Sequence, residues 1–391
     1  MNPLSSCAIT GLGFSELSRR PIGTARALAV QAVCAAAADA GLGLAQIDGL
    51  LISRSSSAPY GDLPMALRDD LGLDGLRLLN TLEGEGTSAI QLVQSACLAV
   101  RAGMATTVAC VFADAPLKPA SPTGASAFRR VMSLTGIAGW ESEYGLYAAA
   151  GPHAMAARRY MHLYGAAEED FGAYAISCRE WACLDERAAF HDPLALADYL
   201  AAPYIAEPLR AFDCAYPVNG AVALIVGRAD SMSSAHPVYV HGMGQGHLAR
   251  TGLNNTDRST RTGAELAARE AYRTAGIRPA DVQVAQLYDA FSYLGMLAME
   301  EYGLCERGGA ADLLRSGRTR PGGDLPLNTG GGHLSGFYLQ GMTPLSEAVL
   351  QARGTAGKRQ AARHEVVLAT GVGGCLDYHA ALVLSPSKEL A

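Results

Sequence analysis

Residues 80–87 read Asn80-Thr81-Leu82-Glu83-Gly84-Glu85-Gly86-Thr87, and a related stretch follows much later in the chain as Asn328-Thr329-Gly330-Gly331-Gly332. Each stretch has the composition of a strand end and a Gly-rich turn, and each leads towards an apolar helical pattern. Internal similarity between distant segments is typical of a repeated structural unit. The sequence therefore predicts two duplicated halves.

Short β-rich runs alternate with longer Ala- and Leu-rich helical patterns in both parts of the chain. This alternation favours a layered α/β fold. The predicted strands lie near Cys7–Phe14, Ile47–Arg54, Leu78–Glu83, Thr106–Ala113, Val238–Met243, Val282–Tyr288, Glu365–Ala369 and His379–Leu384. The predicted helices cover Thr24–Ala40, Thr87–Ala102, Gly263–Ala275, Phe291–Tyr302 and Thr343–Arg353.

The same patterns predict how the chain divides into domains. The N-terminal half is predicted to comprise residues 1–115 and 213–235, and the C-terminal half residues 236–391. Residues 116–212, here called the lid segment, combine aromatic residues with helical patterns. Because connections of this length are usually functional, we expect the lid segment to cover the catalytic face.

Composition excludes several classes of protein. The 391 residues are 49% hydrophobic and 17% charged, a balance typical of a globular enzyme, and a net charge of -6 offers no basic surface to nucleic acid. The sequence contains no apolar run of about 18 residues and no N-terminal signal pattern, which predicts a cytoplasmic protein without a membrane span. Nine dispersed cysteines without a Cys-x-x-Cys spacing predict reduced thiols and no metal site.

Two tyrosines stand in segments that are typical of a catalytic cleft. Tyr288 ends a predicted strand in Gln286-Leu287-Tyr288-Asp289-Ala290-Phe291, and Tyr338 follows the Gly-rich stretch in Gly336-Phe337-Tyr338-Leu339-Gln340-Gly341. A phenol has an ordinary pKa of about 10, so it donates protons well and acts as a base only where its anion is stabilised. The alternative is that each tyrosine is a core aromatic residue whose hydroxyl finds one partner.

These segments resemble the His-Asp-Cys-Phe and Gly-His-Pro motifs of the sterol carrier protein X type of thiolase. Tyr288 and Tyr338 take the places of the two histidines, and Ala290 takes the place of the cysteine. Further landmarks agree in the same order, at Asp192-Pro193-Leu194, Asp198-Tyr199-Leu200, Pro208-Leu209-Arg210, Asp213-Cys214 and Asn219-Gly220-Ala221. The resemblance implies the thiolase fold, in which two βαβαβαββ halves form five layers, αβαβα, with an inserted helical lid.

The nucleophilic cysteine of a thiolase is missing from this sequence. Alignment of Gly86 and Ala89 with the family pattern puts Glu83 at its position, and Cys97 lies well inside the following helix. Cys375 is displaced from the second reactive position in the family pattern. Glu83 is therefore a candidate general base or substrate-binding carboxylate, or else a residue that caps the helix.

Further candidates surround the two tyrosines in sequence. His333 is a candidate for hydrogen bonding the thioester oxygen or for tuning the pKa of a phenol. Asp289 is a candidate for orienting its neighbours, and the alternative is that it caps the helix at Phe291. His247, Ser335, Gly332 and Gly373 are the candidates for binding substrate, the glycines through close backbone approach and oxyanion-type N–H donors. The Gly-rich segments match no nucleotide-binding motif.

The best match among thiolase relatives is to the aldolases of steroid side-chain degradation that are often called lipid-transfer proteins. The resemblance implies retro-aldol cleavage of a β-hydroxyacyl-CoA to a ketone or aldehyde and a short acyl-CoA, without a cofactor. It also implies a partner with an OB fold and a zinc-binding rubredoxin-like part, joined to a homodimer within a heterotetramer. Two alternatives stay open: a Claisen-type acyltransferase that uses Glu83 and His333, and a non-catalytic scaffold that binds CoA thioesters.

Overall fold

The computed structural model describes residues 3–55, 63–120, 139–140, 143–146, 148–230, 235–248 and 261–390. Within them, nine strands form one continuous sheet, in the order β3-β2-β4-β7-β1-β8-β11-β10-β9. These strands are β1 (Cys7–Phe14), β2 (Gly49–Ser53), β3 (Leu78–Leu82), β4 (Thr107–Asp114), β7 (Gly220–Arg228), β8 (Val238–Gly246), β9 (Val284–Gln286), β10 (Val367–Gly373) and β11 (Tyr378–Ser385). A separate hairpin consists of β5 (Tyr204–Ala206) and β6 (Leu209–Arg210).

The sheet is two copies of one pairing pattern joined edge to edge. In the first half β2 runs parallel to β3 and β4, and the pairs β4–β7 and β7–β1 are antiparallel. In the second half β9 runs parallel to β10, and the pairs β10–β11 and β11–β8 are antiparallel. The junction is only the short antiparallel pairing of β1 with β8. The predicted duplication is thus visible in the strand pairing.

The two stretches that suggested the duplication occupy equivalent places. Asn80 and Thr81 lie in the edge strand β3. In the second half, Leu327 forms a parallel bridge with Ala285 of β9, which puts Asn328 at the matching edge. A Gly-rich turn and a helix follow in both cases.

Helices cover the sheets in layers. The longer helices are α1 (Ala25–Asp39), α2 (Leu63–Leu71), α3 (Ser88–Arg101), α7 (Ala264–Ala275), α8 (Ser292–Glu301) and α10 (Met342–Arg353). Helix α1 packs on β1, β4 and β7, and α7 packs on β8 and β11. Helices α3 and α10 touch each other between the two half-sheets and share one apolar core with both. This gives the five layers that the resemblance implied.

Glycines in the first strand of each half bring an outer helix close to the sheet. A Cβ atom at Gly13 would overlap the backbone of Ala36 in α1. A Cβ atom at Gly244 would overlap the carbonyl of Ala267 in α7. The same local device therefore stands in both halves, as expected for a duplicated unit.

The described part of the lid segment is largely helical. It contains α4 (Ala150–Tyr164), α5 (Glu168–Ala182), α6 (Leu196–Ala201) and the β5–β6 hairpin. Helix α5 packs on α8, on α9 (Ala310–Arg315) and on the turn at residues 332–336. Residues 121–138, 141–142 and 147 of the lid segment lie outside the described residues. The division into three domains stays a prediction.

Most predicted elements are present with small shifts of their ends, but several elements were missed, among them the helices α2 and α9 and the β5–β6 hairpin. Strand β7 was not predicted as a strand, and residues Gly332–Gly336 form a π-helical turn that no periodicity indicated. The strand predicted to end at Tyr288 ends at Gln286. Among the described residues, none of the helices combines the length and apolarity that a membrane crossing requires.

Candidate active site

Tyr288 leaves the sheet because side chains replace strand partners just beyond β9. The N–H of Leu287 donates to Asn328 Oδ1 at 2.6 Å, and the N–H of Tyr288 donates to Thr370 Oγ1 at 3.0 Å. These bonds end the strand pairing of β9, and the chain then crosses the carboxyl end of the sheet. Ligand sites of α/β proteins commonly lie at this edge.

The two sequence-predicted tyrosines meet. The hydroxyl oxygens of Tyr288 and Tyr338 lie 3.1 Å apart, which is hydrogen-bonding distance. The Tyr288 side chain is buried, with 6% exposure, whereas Tyr338 is partly exposed. The pair therefore presents one phenol to the cleft and holds the other behind it.

The surroundings of Tyr288 favour its neutral form. Burial raises the pKa of the Tyr288 phenol well above its ordinary value, and the neighbouring Tyr338 and Glu85 raise it further. A phenol with a raised pKa keeps its proton at neutral pH. Tyr288 is therefore suited to donate a hydrogen bond to Tyr338.

His333 lies against both phenol rings, with ring centroids 4.5 Å from Tyr288 and 5.3 Å from Tyr338. Its Nε2 donates to the main-chain carbonyl of Gln340 at 2.8 Å, and its Nδ1 lies 2.7 Å from Asp289 Oδ1. The imidazole is completely buried. Because both nitrogens are engaged within the protein, the geometry does not support direct bonding of His333 to a thioester oxygen and favours the tuning alternative.

Asp289 holds this histidine and does not cap a helix. Its Oδ1 also accepts from the His333 N–H at 2.8 Å, and its Oδ2 accepts from the hydroxyl of Tyr174 at 3.4 Å. Among the described residues, no side chain caps α8, which begins at Ser292. The capping alternative for Asp289 is therefore wrong.

Gly332 and Ser335 serve the framework of the site. A Cβ atom at Gly332, whose φ is +59°, would overlap the Asp289 carboxylate, so glycine lets the turn close on that group. The buried Ser335 hydroxyl accepts from Arg179 Nε at 2.9 Å. The structure thus engages both residues inside the protein, and their proposed role in binding substrate stays a prediction.

Gly373 is the last residue of β10, and His247 directly follows the end of β8. A Cβ atom at Gly373 would overlap the Gly84 carbonyl, so this residue seats β10 on the Gly84–Gly86 turn. His247 is exposed and packs edge-on against Tyr378, 5.5 Å between centroids. Tyr378 is the cross-strand neighbour of Gly373. His247 is therefore exposed at the surface, beside the strand partner of Gly373.

The structure does not bring Glu83 to the tyrosines. The Glu83 carboxylate is 52% exposed and forms an ion pair with Arg54 Nη1 at 2.5 Å. Strand β3 ends at Leu82, so the Glu83 side chain is directed to the surface beside β2. The carboxylate that acts on Tyr288 belongs to Glu85, which has a φ of +48° and accepts from the Gly374 N–H at 3.0 Å. The choice of Glu83 needs correction to Glu85.

The thiols of Cys97 and Cys178 are buried in surroundings that favour their protonated form. Hydrogen bonding to Cys7 and burial raise the pKa of Cys97 well above its ordinary value. Burial likewise raises the pKa of Cys178, whose Sγ lies 3.5 Å from Asp289 Oδ2. Neither environment favours the thiolate that acyl transfer requires.

Sequence reasoning missed Glu85, Tyr174 and Cys178. Glu85 carried a usable signal, since it stands between Gly84 and Gly86, where backbone with unusual φ is common. Tyr174 and Cys178 lie four positions apart on α5 and face Asp289, but nothing in the sequence connects α5 to residue 289.

The correction predicts unequal effects of two similar substitutions. We expect Glu85→Gln to reduce kcat about tenfold, because it weakens the charge-assisted bond from the Gly374 N–H that holds the turn beside the Tyr288 ring. The matched control Glu83→Gln removes only an exposed ion pair and is expected to change kcat less than twofold. Steady-state kinetics of the two variants decide the point, and a larger effect from Glu83→Gln would restore the original assignment.

The duplicated five-layer fold and the tyrosine pair, without a cysteine at the start of α3, define a thiolase-like protein that lacks the thiolase nucleophile. Residues 244–386 match the family described as Thiolase C-terminal domain-like. The chain is 32% identical to the 17-hydroxy-3-oxo-4-pregnene-20-carboxyl-CoA lyase of Mycobacterium tuberculosis, over 94% of this chain and 96% of that protein. It is 33% identical to the steroid side-chain-cleaving aldolase of Thermomonospora curvata, over 94% of this chain and 95% of that protein.

A solved structure supports the same family. The structure described as Ltp2-ChsH2(DUF35) aldolase is 30% identical in sequence, with a TM-score of 0.88 over 100% of both chains. The chain belongs to the thiolase superfamily and, within it, to the thiolase-like lipid-transfer-protein aldolases. The predicted fold and family are confirmed.

Proposed function

We propose that this protein cleaves a β-hydroxyacyl-CoA by a retro-aldol reaction, giving a ketone or aldehyde and a short acyl-CoA. The observation that carries the proposal is the hydroxyl pair of Tyr288 and Tyr338 at 3.1 Å in a site without a reactive cysteine. Relatives named as a carboxyl-CoA lyase and as a side-chain-cleaving aldolase support it. By the same relatives, we propose a steroid or bile-acid side-chain CoA thioester as substrate.

The geometry suggests separate roles for the two phenols. The buried Tyr288 donates its hydrogen bond to the Tyr338 oxygen, which stabilises negative charge on Tyr338. The Tyr338 phenolate takes the proton of the substrate hydroxyl, the Cα–Cβ bond breaks, and the electron pair forms the thioester enolate. Tyr338 then returns the proton to Cα, which regenerates the phenolate and leaves the proton balance unchanged.

Main-chain N–H groups near the end of β10 and the start of α3 are candidates for hydrogen bonding the enolate oxygen. The turn after β10 and the start of α3 bring Gly-flanked backbone close together, and helix N-termini favour negative charge. The Gly374 N–H is engaged by Glu85 and the Thr87 N–H by the Gly84 carbonyl, so the N–H groups of Glu85 and Gly86 are the better candidates. The reaction needs no cofactor other than the CoA of its substrate.

We also propose the assembly in which the protein works. The related aldolase structure is described with a DUF35 component, which supports a DUF35-type partner here. The partner is proposed to have an OB fold and a zinc-binding rubredoxin-like part, bound to a homodimer of this chain in a cytoplasmic heterotetramer. We propose that any zinc belongs to the rubredoxin-like part of the partner.

The acyltransferase alternative finds no support in the site. It requires Glu83 and His333 to replace the cysteine, yet Glu83 pairs with Arg54 and both His333 nitrogens are engaged. The scaffold alternative predicts that neither tyrosine affects turnover. Both alternatives are separated from the aldolase by product analysis.

The test is incubation of the purified protein, alone and with its DUF35-type partner, with β-hydroxyacyl-CoA thioesters of differing ring systems. Mass spectrometry should detect a ketone or aldehyde together with propionyl-CoA or acetyl-CoA. Acyl transfer to free CoA without a carbonyl product would favour the acyltransferase. Binding of the thioester without any product, with partner present, would favour the scaffold.

The proposed roles also fix the direction of a pH effect. A hydrogen bond from Tyr288 stabilises the Tyr338 phenolate, so its removal in Tyr288→Phe should make that phenolate form less readily. We therefore expect the rising limb of kcat/KM to move to higher pH in Tyr288→Phe and to vanish in Tyr338→Phe. Rate–pH profiles of the residual activities measure this. A limb that moves to lower pH in Tyr288→Phe contradicts the assignment of base and donor.

A further inference from the structure

Tyr174 of the lid segment has a buried hydroxyl to which the proposed chemistry assigns no role. It lies on α5 and is 1% exposed. Its hydroxyl oxygen accepts from Asn328 Nδ2 at 2.9 Å and donates to Asp289 Oδ2 at 3.4 Å. The other oxygen of that carboxylate holds His333, whose ring lies 4.5 Å from the Tyr288 ring. One hydroxyl of the lid segment therefore contacts two residues that surround the Tyr288 segment.

The neighbours of this hydroxyl fix the direction of both bonds. An ionised carboxylate only accepts, so the hydroxyl donates to Asp289 and leaves a lone pair for the Asn328 amide nitrogen. Burial and the charge of Asp289 raise the pKa of the Tyr174 phenol well above its ordinary value, so the hydroxyl keeps its proton. Packing also limits the ring, because a Cβ atom at Gly295 of α8 would overlap the hydroxyl.

Asn328 in turn holds the residue that directly precedes Tyr288. Its Oδ1 accepts from the Leu287 N–H at 2.6 Å, and its Nδ2 donates to the Leu287 carbonyl at 3.1 Å. Its own N–H donates to the carbonyl of Ala285 in β9 at 3.0 Å. The side-chain amide therefore takes the place of a neighbouring strand and fixes the main chain on the N-terminal side of Tyr288.

The first half of the duplicated fold lacks this arrangement at the equivalent residue. Asn80 is exposed, and its Oδ1 accepts from the N–H of Thr81 at 2.8 Å. Asn328 is 2% exposed and has a left-handed φ of +47°, which Asn adopts more readily than most residues. The buried amide therefore belongs to the half that carries both tyrosines.

We infer that Tyr174 and Asn328 are positioning residues for the reaction. The Tyr174 hydroxyl orients the Asn328 amide, the amide holds the main chain of Leu287, and Tyr288 is thereby kept at hydrogen-bonding distance from Tyr338. The inference rests on the proposed aldolase function. Small displacements of a reactive group reduce a rate strongly, so a residue that acts only through its neighbours can still control turnover.

The test measures two variants in the complete complex. Tyr174→Phe keeps the ring and removes both hydrogen bonds, and we expect it to lower kcat about 10- to 30-fold with KM changed less than about threefold. Asn328→Gly accommodates the left-handed φ and removes the amide, and we expect a loss of about 30- to 100-fold. The rising limb of kcat/KM should move to higher pH in both variants, as in Tyr288→Phe, because each weakens the bond from Tyr288 to Tyr338.

The matched control is Tyr272→Phe. Tyr272 is also buried, and its hydroxyl donates to the main-chain carbonyl of Tyr302 at 2.8 Å. Its substitution removes one buried hydrogen bond and should lower Tm, yet kcat should stay within about twofold and the pH profile should not move. The comparison separates a loss of alignment from a loss of stability.

A second measurement does not depend on turnover. The Leu287 amide should exchange its hydrogen faster in Tyr174→Phe than in the wild type or in Tyr272→Phe. Cleavage by the wild type with kcat of Tyr174→Phe within about twofold of it overturns the inference and leaves the aldolase intact. A wild type without cleavage overturns the aldolase, and unchanged exchange of the Leu287 amide in Tyr174→Phe overturns the positioning role by itself.

Discussion

Replacing Tyr288 or Tyr338 with phenylalanine is expected to reduce kcat for carbon–carbon cleavage at least about 100-fold. Each substitution removes one hydroxyl of the pair at 3.1 Å and leaves the ring in place. A positioned proton-transfer group contributes about 10²- to 10⁴-fold to a rate. Single-turnover kinetics with the complete complex measure the loss at the chemical step.

The matched control is Tyr302→Phe. Tyr302 lies at the end of α8 and is buried like Tyr288. Its hydroxyl, however, donates to the main-chain carbonyl of Ala380 at 3.4 Å. We expect this variant to keep kcat within about twofold. If Tyr288→Phe and Tyr338→Phe behave like Tyr302→Phe, the phenols do not handle protons and the scaffold alternative is correct.

Gly86→Ala is expected to inactivate the enzyme as strongly as loss of a phenol. A Cβ atom at residue 86 would overlap the carbonyl of Val372 and the ring of Tyr288. Overpacking of this kind destabilises a protein by about 1–3 kcal/mol, and here the ring that must give way is the proposed hydrogen-bond donor. We expect a loss of at least about 100-fold in kcat together with a lower Tm.

Gly75→Ala provides the comparison for this variant. Within the described part of the chain, no heavy atom other than those of its neighbours lies within 4 Å of a Cβ atom at residue 75, and its φ is not left-handed. Its kcat and Tm should match the wild type. Full activity of Gly86→Ala would show that the Tyr288 ring does not need its present position.

The duplicated α/β fold could be predicted from the sequence because its signals are local. The Gly-rich stretches after Asn80 and Asn328 mark equivalent turns, and the alternation of strand and helix patterns places most elements within a few residues. Tyr288 and Tyr338 could be named from their flanking residues alone. Their hydroxyl distance could not, because it depends on how two loops at the sheet edge are packed.

The errors within the site have a common physical cause. Glu83 and Glu85 are two positions apart in sequence, and only the backbone reversal at Glu85, with φ at +48°, decides which carboxylate approaches Tyr288. The sequence left His333 as a candidate for binding substrate. Its contacts with Asp289 and with the Gln340 carbonyl depend on a π-helical turn that the sequence does not indicate. A turn held by such tertiary bonds leaves no periodicity in the sequence.

The sequence by itself determined the duplicated halves, the loss of the thiolase cysteine and the two phenols that stand where histidines are expected. The tertiary structure alone decided which hydroxyl is buried and which carboxylate faces it. The reason is that residue identities and their local spacing indicate the secondary structure and the chemical groups that are present. Burial, pKa and contact arise only when residues far apart in the chain, such as 85, 288, 338 and 374, pack together at one edge of the sheet.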